Sequence, residues 1–154
     1  MTPRAIVVLG IGQCVNWGVL YYAFAVLLLP VEATLGVPRW VVTGAFSLAL
    51  LTSALAAPTV GRWCDRGHGA DAMLAGGLAA SVLLAGWAAL PSLLTLYVAW
   101  LGLGLCMAAT LYETAFAIVG RAHAHPTERL RALAAVTVFG GLASTVFLPV
   151  TALL

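Results

Sequence analysis

Lysine is absent from the 154 residues, and seven arginines with five acidic residues leave only 8% of the chain charged. A soluble domain carries about 25% charged residues, so this chain cannot cover the surface of a water-soluble globule. Intrinsic disorder is excluded by the same shortage, because disordered segments are polar and highly charged. The net charge is only +2 and no basic run occurs, so no electrostatic footprint for nucleic acid exists and no nucleic-acid partner is expected. The three cysteines, Cys14, Cys64 and Cys106, are spread along the chain without CxxC spacing. Neither a disulfide framework nor a zinc site is expected from them; they read as small buried hydrophobes. No phosphate-binding glycine motif and no nucleophile–base pattern occurs, so no cofactor, no ATP-driven step and no enzymatic activity is expected.

What the chain has is hydrophobicity: 63% of its residues are apolar and its mean hydropathy is +1.07. About 20 apolar residues are needed to cross about 30 Å of hydrocarbon. Five stretches meet that length: residues 5–29, 41–60, 72–90, 93–119 and 132–154. Glu113 is the one charged residue inside them. Runs this long without period-two alternation are helices, not barrel strands. The expected fold is therefore an all-α polytopic transmembrane bundle of about five helices, forming a single domain over residues 1–154. The first stretch is too long for the apolar core of a signal peptide and is followed by four more, so it is read as a retained helix.

Arginine sets the orientation. Arg4, Arg62, Arg66, Arg121, Arg129 and Arg131 fall on one side of the expected spans, and Arg39 alone on the other. Positive charge stays in the cytoplasm, so the N-terminus is expected to be cytoplasmic in a bacterial inner membrane. Pro30 and Pro38 bracket the first outer loop, Gly67 and Gly69 the first inner loop, and Pro91 and Pro126 mark the next two turns. Helices in lipid pack through small residues spaced by four. Such rows are Ala49-Ser53-Ala57-Gly61, Ala72-Gly76-Ala80, Gly77-Ser81-Ala85 and Gly104-Ala108, with Gly140, Gly141, Ser144 and Thr145 on the last span.

The loop after the second span reads Gly61-Arg62-Trp63-Cys64-Asp65-Arg66-Gly67-His68-Gly69-Ala70-Asp71. Gly61 suits close helix approach, Asp65 suits a helix N-terminus, and Arg66 suits a carboxylate; a plain polar turn explains the same residues. The loop resembles the signature between helices two and three of the major facilitator superfamily of transporters. The match rests on Gly61, Asp65 and Arg66, which together with Gly69 the resemblance makes a conformational switch; the order His68-Gly69 departs from the family's spacing. Ala70 and Asp71 stand where that family has basic residues. The stretches Trp17–Val26, Leu111–Ala117 and Gly140–Pro149 resemble the first, fourth and fifth helices of bacterial members near the monocarboxylate and oxalate/formate porters. The resemblance implies twelve helices in two halves, each built from inverted three-helix repeats. This chain then corresponds to the N-terminal five helices, and its remaining helices are expected as partners.

Gln13, Asn16, Trp17 and Tyr21 share one face of the first helix by their spacing. They are a candidate substrate cavity, or a set of interhelical hydrogen bonds without a ligand. Tyr22 and Trp40 read as interfacial aromatics. Glu113 lies eight residues before Arg121, roughly 12 Å along a helix. It is either a proton-coupling group or a structural carboxylate, neutral or paired with a loop arginine such as Arg62 or Arg66. His123 and His125 form an HxH pair without a third ligand, so no metal is expected. The function these residues suggest is secondary transport of a small organic solute by alternating access. Organic anions and protons are the partners the resemblance brings forward. The alternatives are a non-transporting scaffold or truncated remnant and, more remotely, an intramembrane enzyme using Glu113 with His123 or His125.

Overall fold

A computed structural model describes residues 1–153. Leu154, the end of the span expected over 132–154, lies outside the described residues. Among the described residues the chain is all-helical, without a strand. Four helical stretches are long and apolar enough to cross a membrane: Pro3–Leu35, Arg39–Ala89, Leu93–Ala122 and Pro126–Ala152. This fits a membrane protein.

Each stretch is composite. The first holds α1 (Pro3–Trp17), a π-helical turn (Gly18–Tyr22) and α2 (Ala23–Leu35). The hydroxyl of Thr2 caps α1 by accepting from the Ala5 N–H at 3.3 Å, and Pro3 occupies a first-turn position that needs no N–H. Pro30, expected to close this helix, lies inside α2. The stop is Gly36, whose φ of +62° gives the left-handed cap and whose N–H bonds the Glu32 carbonyl at 3.1 Å. One proline removes one hydrogen bond and bends a helix, whereas a left-handed glycine turns the chain out of it.

The second stretch is 51 residues long, roughly 75 Å if straight, and it is not straight. It consists of α3 (Arg39–Trp63), a turn over Cys64–His68, and α4 (Gly69–Ala89). Gly67 inside the turn has φ +100°, a conformation costly for any residue with a Cβ. Side-chain register shows the consequence. The Tyr97 hydroxyl bonds the Val41 carbonyl at 2.8 Å, and Gly104 lies against Ala49 and Thr52, so α3 runs parallel to α5 (Leu93–Thr110). Gly76 meets Thr110, Leu83 meets Gly102, and Trp87 meets Trp100 at 6.5 Å, so α4 runs antiparallel to α5. The chain therefore reverses at Cys64–His68, in the loop that carries the Gly61–Gly69 pattern.

The third stretch joins α5 to α6 (Tyr112–Ala122) through an extended Leu111 with ψ −163°. The fourth holds α7 (Pro126–Gly141) and α8 (Ala143–Ala152). Gly10 packs on Phe139 and Gly18 on Phe147, so the fourth stretch lies parallel to the first. The main core gathers Leu20, Phe24, Val42, Leu96, Trp100 and Leu103, and a smaller one joins Ile6 and Leu9 to Val119, Ala132 and Val136.

Not every small-residue row makes a close contact. Ala72, Gly76 and Ala80 are buried, and a Cβ on Gly76 would stand 2.8 Å from Thr110 and 2.9 Å from Ala109. Gly77, Gly61 and Gly141 face open space; Gly61, expected at a close approach, makes none. The tightest approach of a glycine to backbone is Gly104 against the Ala49 carbonyl, where no flexible side chain can give way. Gly104→Ala should therefore destabilise by about 1–3 kcal/mol through overpacking. Gly77→Ala should be neutral or stabilising, because it removes only unfolded-state freedom. Thermal unfolding of the purified variants followed by circular dichroism checks the pair; equal melting temperatures would contradict the α3–α5 contact.

Candidate functional site

The break at Leu111 organises the polar groups of the bundle. A helix that stops leaves its last carbonyls without intrahelical donors, and in hydrocarbon no water replaces them. Here side chains do. The Thr110 carbonyl accepts from Gln13 Nε2 at 2.7 Å and from Asn16 Nδ2 at 3.3 Å. The Ala108 carbonyl accepts from Thr114 Oγ1 at 3.1 Å, and Thr114 Oγ1 in turn accepts from the Cys64 thiol at 3.7 Å. Gln13, Thr110 and Thr114 are buried. The Gln13 and Asn16 amides thus hold α1 against the open end of α5.

Just beside this junction is a cavity of about 240 Å³ lined by Trp17, Tyr21, Ser53, Ala57, Leu111 and Glu113, among others. Trp17 precedes the π-helical turn and Tyr21 lies within it; the turn adds a residue to the helical period and rotates α2 relative to α1. Gly18 allows that turn to lie against the ring of Phe147. Trp17 packs on Tyr112 with ring centroids 4.9 Å apart and on Tyr21 at 5.3 Å. Tyr112 stacks on Phe116 at 5.1 Å and donates its hydroxyl to the Thr137 carbonyl at 3.1 Å. Tyr21 also meets Phe46, which stacks on Phe24 at 4.5 Å.

Of the four residues placed on one face of the first helix, Trp17 and Tyr21 line the cavity and Gln13 and Asn16 brace its wall. Tyr22, expected at an interface, sits mid-helix against Trp17 and Tyr21; Trp40 is exposed at the start of α3. Glu113 lines the cavity and is exposed. No ion pair among the described residues joins Glu113 to Arg62 or Arg66, the pairing that was one of its alternatives. Among the described residues the one ion pair is Arg39 with Glu32 at 3.2 Å, while Arg62 donates to the Thr59 hydroxyl at 3.0 Å.

The signature-like loop lies at the α3–α4 reversal, with Cys64 reaching Thr114 on α6. Asp65, Arg66, Gly67 and His68 are exposed, and Cys64 and Gly69 are buried. No side chain caps α4, so Asp65 does not cap the helix that follows its own loop. Its carbonyl instead accepts from the Arg121 guanidinium, tying the α3–α4 reversal to the end of α6. Gly69 is the close-approach glycine here, with a would-be Cβ 2.7 Å from Ile118. His123 Nδ1 lies 3.1 Å from the Val119 carbonyl, capping its own helix rather than facing His125.

Sequence reasoning missed Tyr112, Ser53 and the Thr110 carbonyl. Tyr112 adjoins Glu113 and could have been grouped with it. Nothing in the sequence marks the break itself, for no proline or glycine occurs between Leu105 and Phe116.

No known protein family, curated protein or solved structure matches this chain. Fold and site define an all-helical protein with four stretches fit to cross a membrane and a small polar-aromatic cavity at a helix break.

The bracing is testable. Gln13→Leu keeps volume but leaves the Thr110 carbonyl with Asn16 alone, and should cost about 1–2 kcal/mol by the range for interhelical hydrogen bonds in membranes. Cys14→Ala, one residue along and half-buried without such a bond, should cost less. Thermal midpoints in detergent compare them; a Gln13→Leu midpoint equal to wild type would contradict the brace.

Proposed function

We propose that this chain is the N-terminal part of a major-facilitator-type secondary transporter, moving a small organic solute by alternating access. The observation that supports it most is the cavity at the Leu111 break, where Trp17, Tyr21, Ser53 and Glu113 meet in an otherwise apolar bundle. Discontinuous helices at mid-bundle are a recurrent way of building solute sites in transporters. A carboxylate in a span costs about 2.5–3.5 kcal/mol on insertion scales, a cost better explained by use than by packing. The order of the elements is consistent with the same reading. Counting the reversal at Gly67, the four apolar stretches would make five crossings in alternating directions, with six of the seven arginines at one end. By the positive-inside rule that end is cytoplasmic. The second half of the transporter would close the cavity from the side this chain leaves open.

Within this proposal Glu113 binds and releases the coupling proton. Membrane vesicles containing the full-length transporter to which this chain is proposed to belong should show solute-dependent proton flux, read with a pH-sensitive dye, whereas this half alone should show none. Glu113→Gln should abolish the flux while leaving membrane yield unchanged. Full flux in the Gln variant would remove Glu113 from coupling, and no flux with organic acids, amines or sugars would count against transport altogether.

Topology is tested with cysteines introduced at exposed positions, since Cys64 is itself buried. Ala70→Cys and His125→Cys should resist an impermeant thiol reagent added to intact cells, and Leu90→Cys should react. The opposite pattern would invert the orientation.

A further inference from the structure

The cavity has one charge sign and one kind of wall. Glu113 is the only ionisable carboxyl or basic group lining it, and every arginine of the chain lies at a helix end or in a loop. Trp17 and Tyr21 supply aromatic surface, and Tyr112 extends it by packing on Trp17 at 4.9 Å. The face of an aromatic ring is negative, and cations bind it most strongly where water is excluded. An organic anion would meet a carboxylate and π faces with no cationic partner in this half, which is repulsive at low dielectric.

The cation class can be narrowed by the donor set. Inorganic cations such as calcium take six to eight oxygen ligands. This lining offers the Glu113 carboxylate, the Ser53 and Tyr21 hydroxyls and hydrocarbon. A weakly hydrated alkylammonium needs fewer: one counter-charge and aromatic faces.

Building on the transporter reading, we propose that this cavity takes an organic ammonium compound, with the cation between Glu113 and the rings of Trp17 and Tyr21. This runs opposite to the organic anions that the porter resemblance suggests, and the difference lies in Glu113 and the absence of any arginine from the spans.

The test uses choline and its uncharged isostere 3,3-dimethylbutan-1-ol, which share shape and hydroxyl and differ in charge. Binding to the purified full chain in detergent is read by equilibrium dialysis, with oxalate as the anionic probe. Choline should bind at least about tenfold more tightly than the isostere. Glu113→Gln should erase that preference, and Trp17→Leu should weaken choline binding, with helicity by circular dichroism unchanged in both. Tetramethylammonium should displace choline from the unmodified chain, a measurement that needs no variant. Equal binding of choline and the isostere, preferential binding of oxalate, or no binding to the folded chain would each overturn the assignment. Solute-driven proton flux with an anion would then leave transport standing without the cation site, whereas flux with no solute would remove the transport reading itself.

Discussion

The Thr110 carbonyl is released from its helix at Leu111, and what happens to it decides the rest of the site. In lipid an unsatisfied backbone group costs several kcal/mol, so a break in mid-span persists only if something else donates. Gln13 and Asn16 on the first helix do so at 2.7 and 3.3 Å. Their spacing of three brings both amides to one side of α1. The break in turn directs Tyr112 toward Trp17 and leaves Glu113 at the edge of the cavity. Without the two amides α5 and α6 would gain by closing into one continuous helix, and the cavity wall would be lost.

The bundle around that junction is held by fit. Helices in lipid gain no hydrophobic advantage by leaving lipid for each other, so close approach through small residues carries much of the association. Gly104 on Ala49, Gly76 on Thr110, and Gly10 on Phe139 serve this purpose at three different helix pairs. At Gly10 and Gly18 the partner is a phenylalanine ring, so a missing side chain on one helix is filled by a large one on the other. Reversal of the chain between α3 and α4 rests on one residue, Gly67, with Arg121 fastening the turn through the Asp65 carbonyl.

Much of this was legible in the sequence. The helical class, the apolar stretches and the segregation of arginine to helix ends come from composition and from where charge is absent. The row Ala72-Gly76-Ala80 could be read from spacing, and so could the grouping of Trp17 with Tyr21. Spacing could not separate that row from Gly77-Ser81-Ala85, because both have the same period and only tertiary contact tells a buried face from an open one. Pro30 was overrated as a helix stop and Gly36 underrated, since the left-handed cap depends on backbone geometry rather than on residue hydropathy. The Leu111 break left no local mark: its cause is an amide about a hundred residues away along the chain, which only the fold brings into contact. Glu113 was conspicuous as a charge, but its lack of an arginine partner depends on distances that charge counting does not supply.

The central claim is that the Gln13 amide holds the helix open at Thr110. Solid-state NMR on the protein in lipid, with ¹⁵N in the glutamine side chain and ¹³C at the threonine carbonyls, measures this contact directly because Gln13 is the only glutamine in the chain. The account predicts strong dipolar transfer between Gln13 Nε2 and the Thr110 carbonyl carbon, with a non-helical chemical shift at Leu111. Absence of that transfer together with helical shifts through residues 108–114 would contradict it.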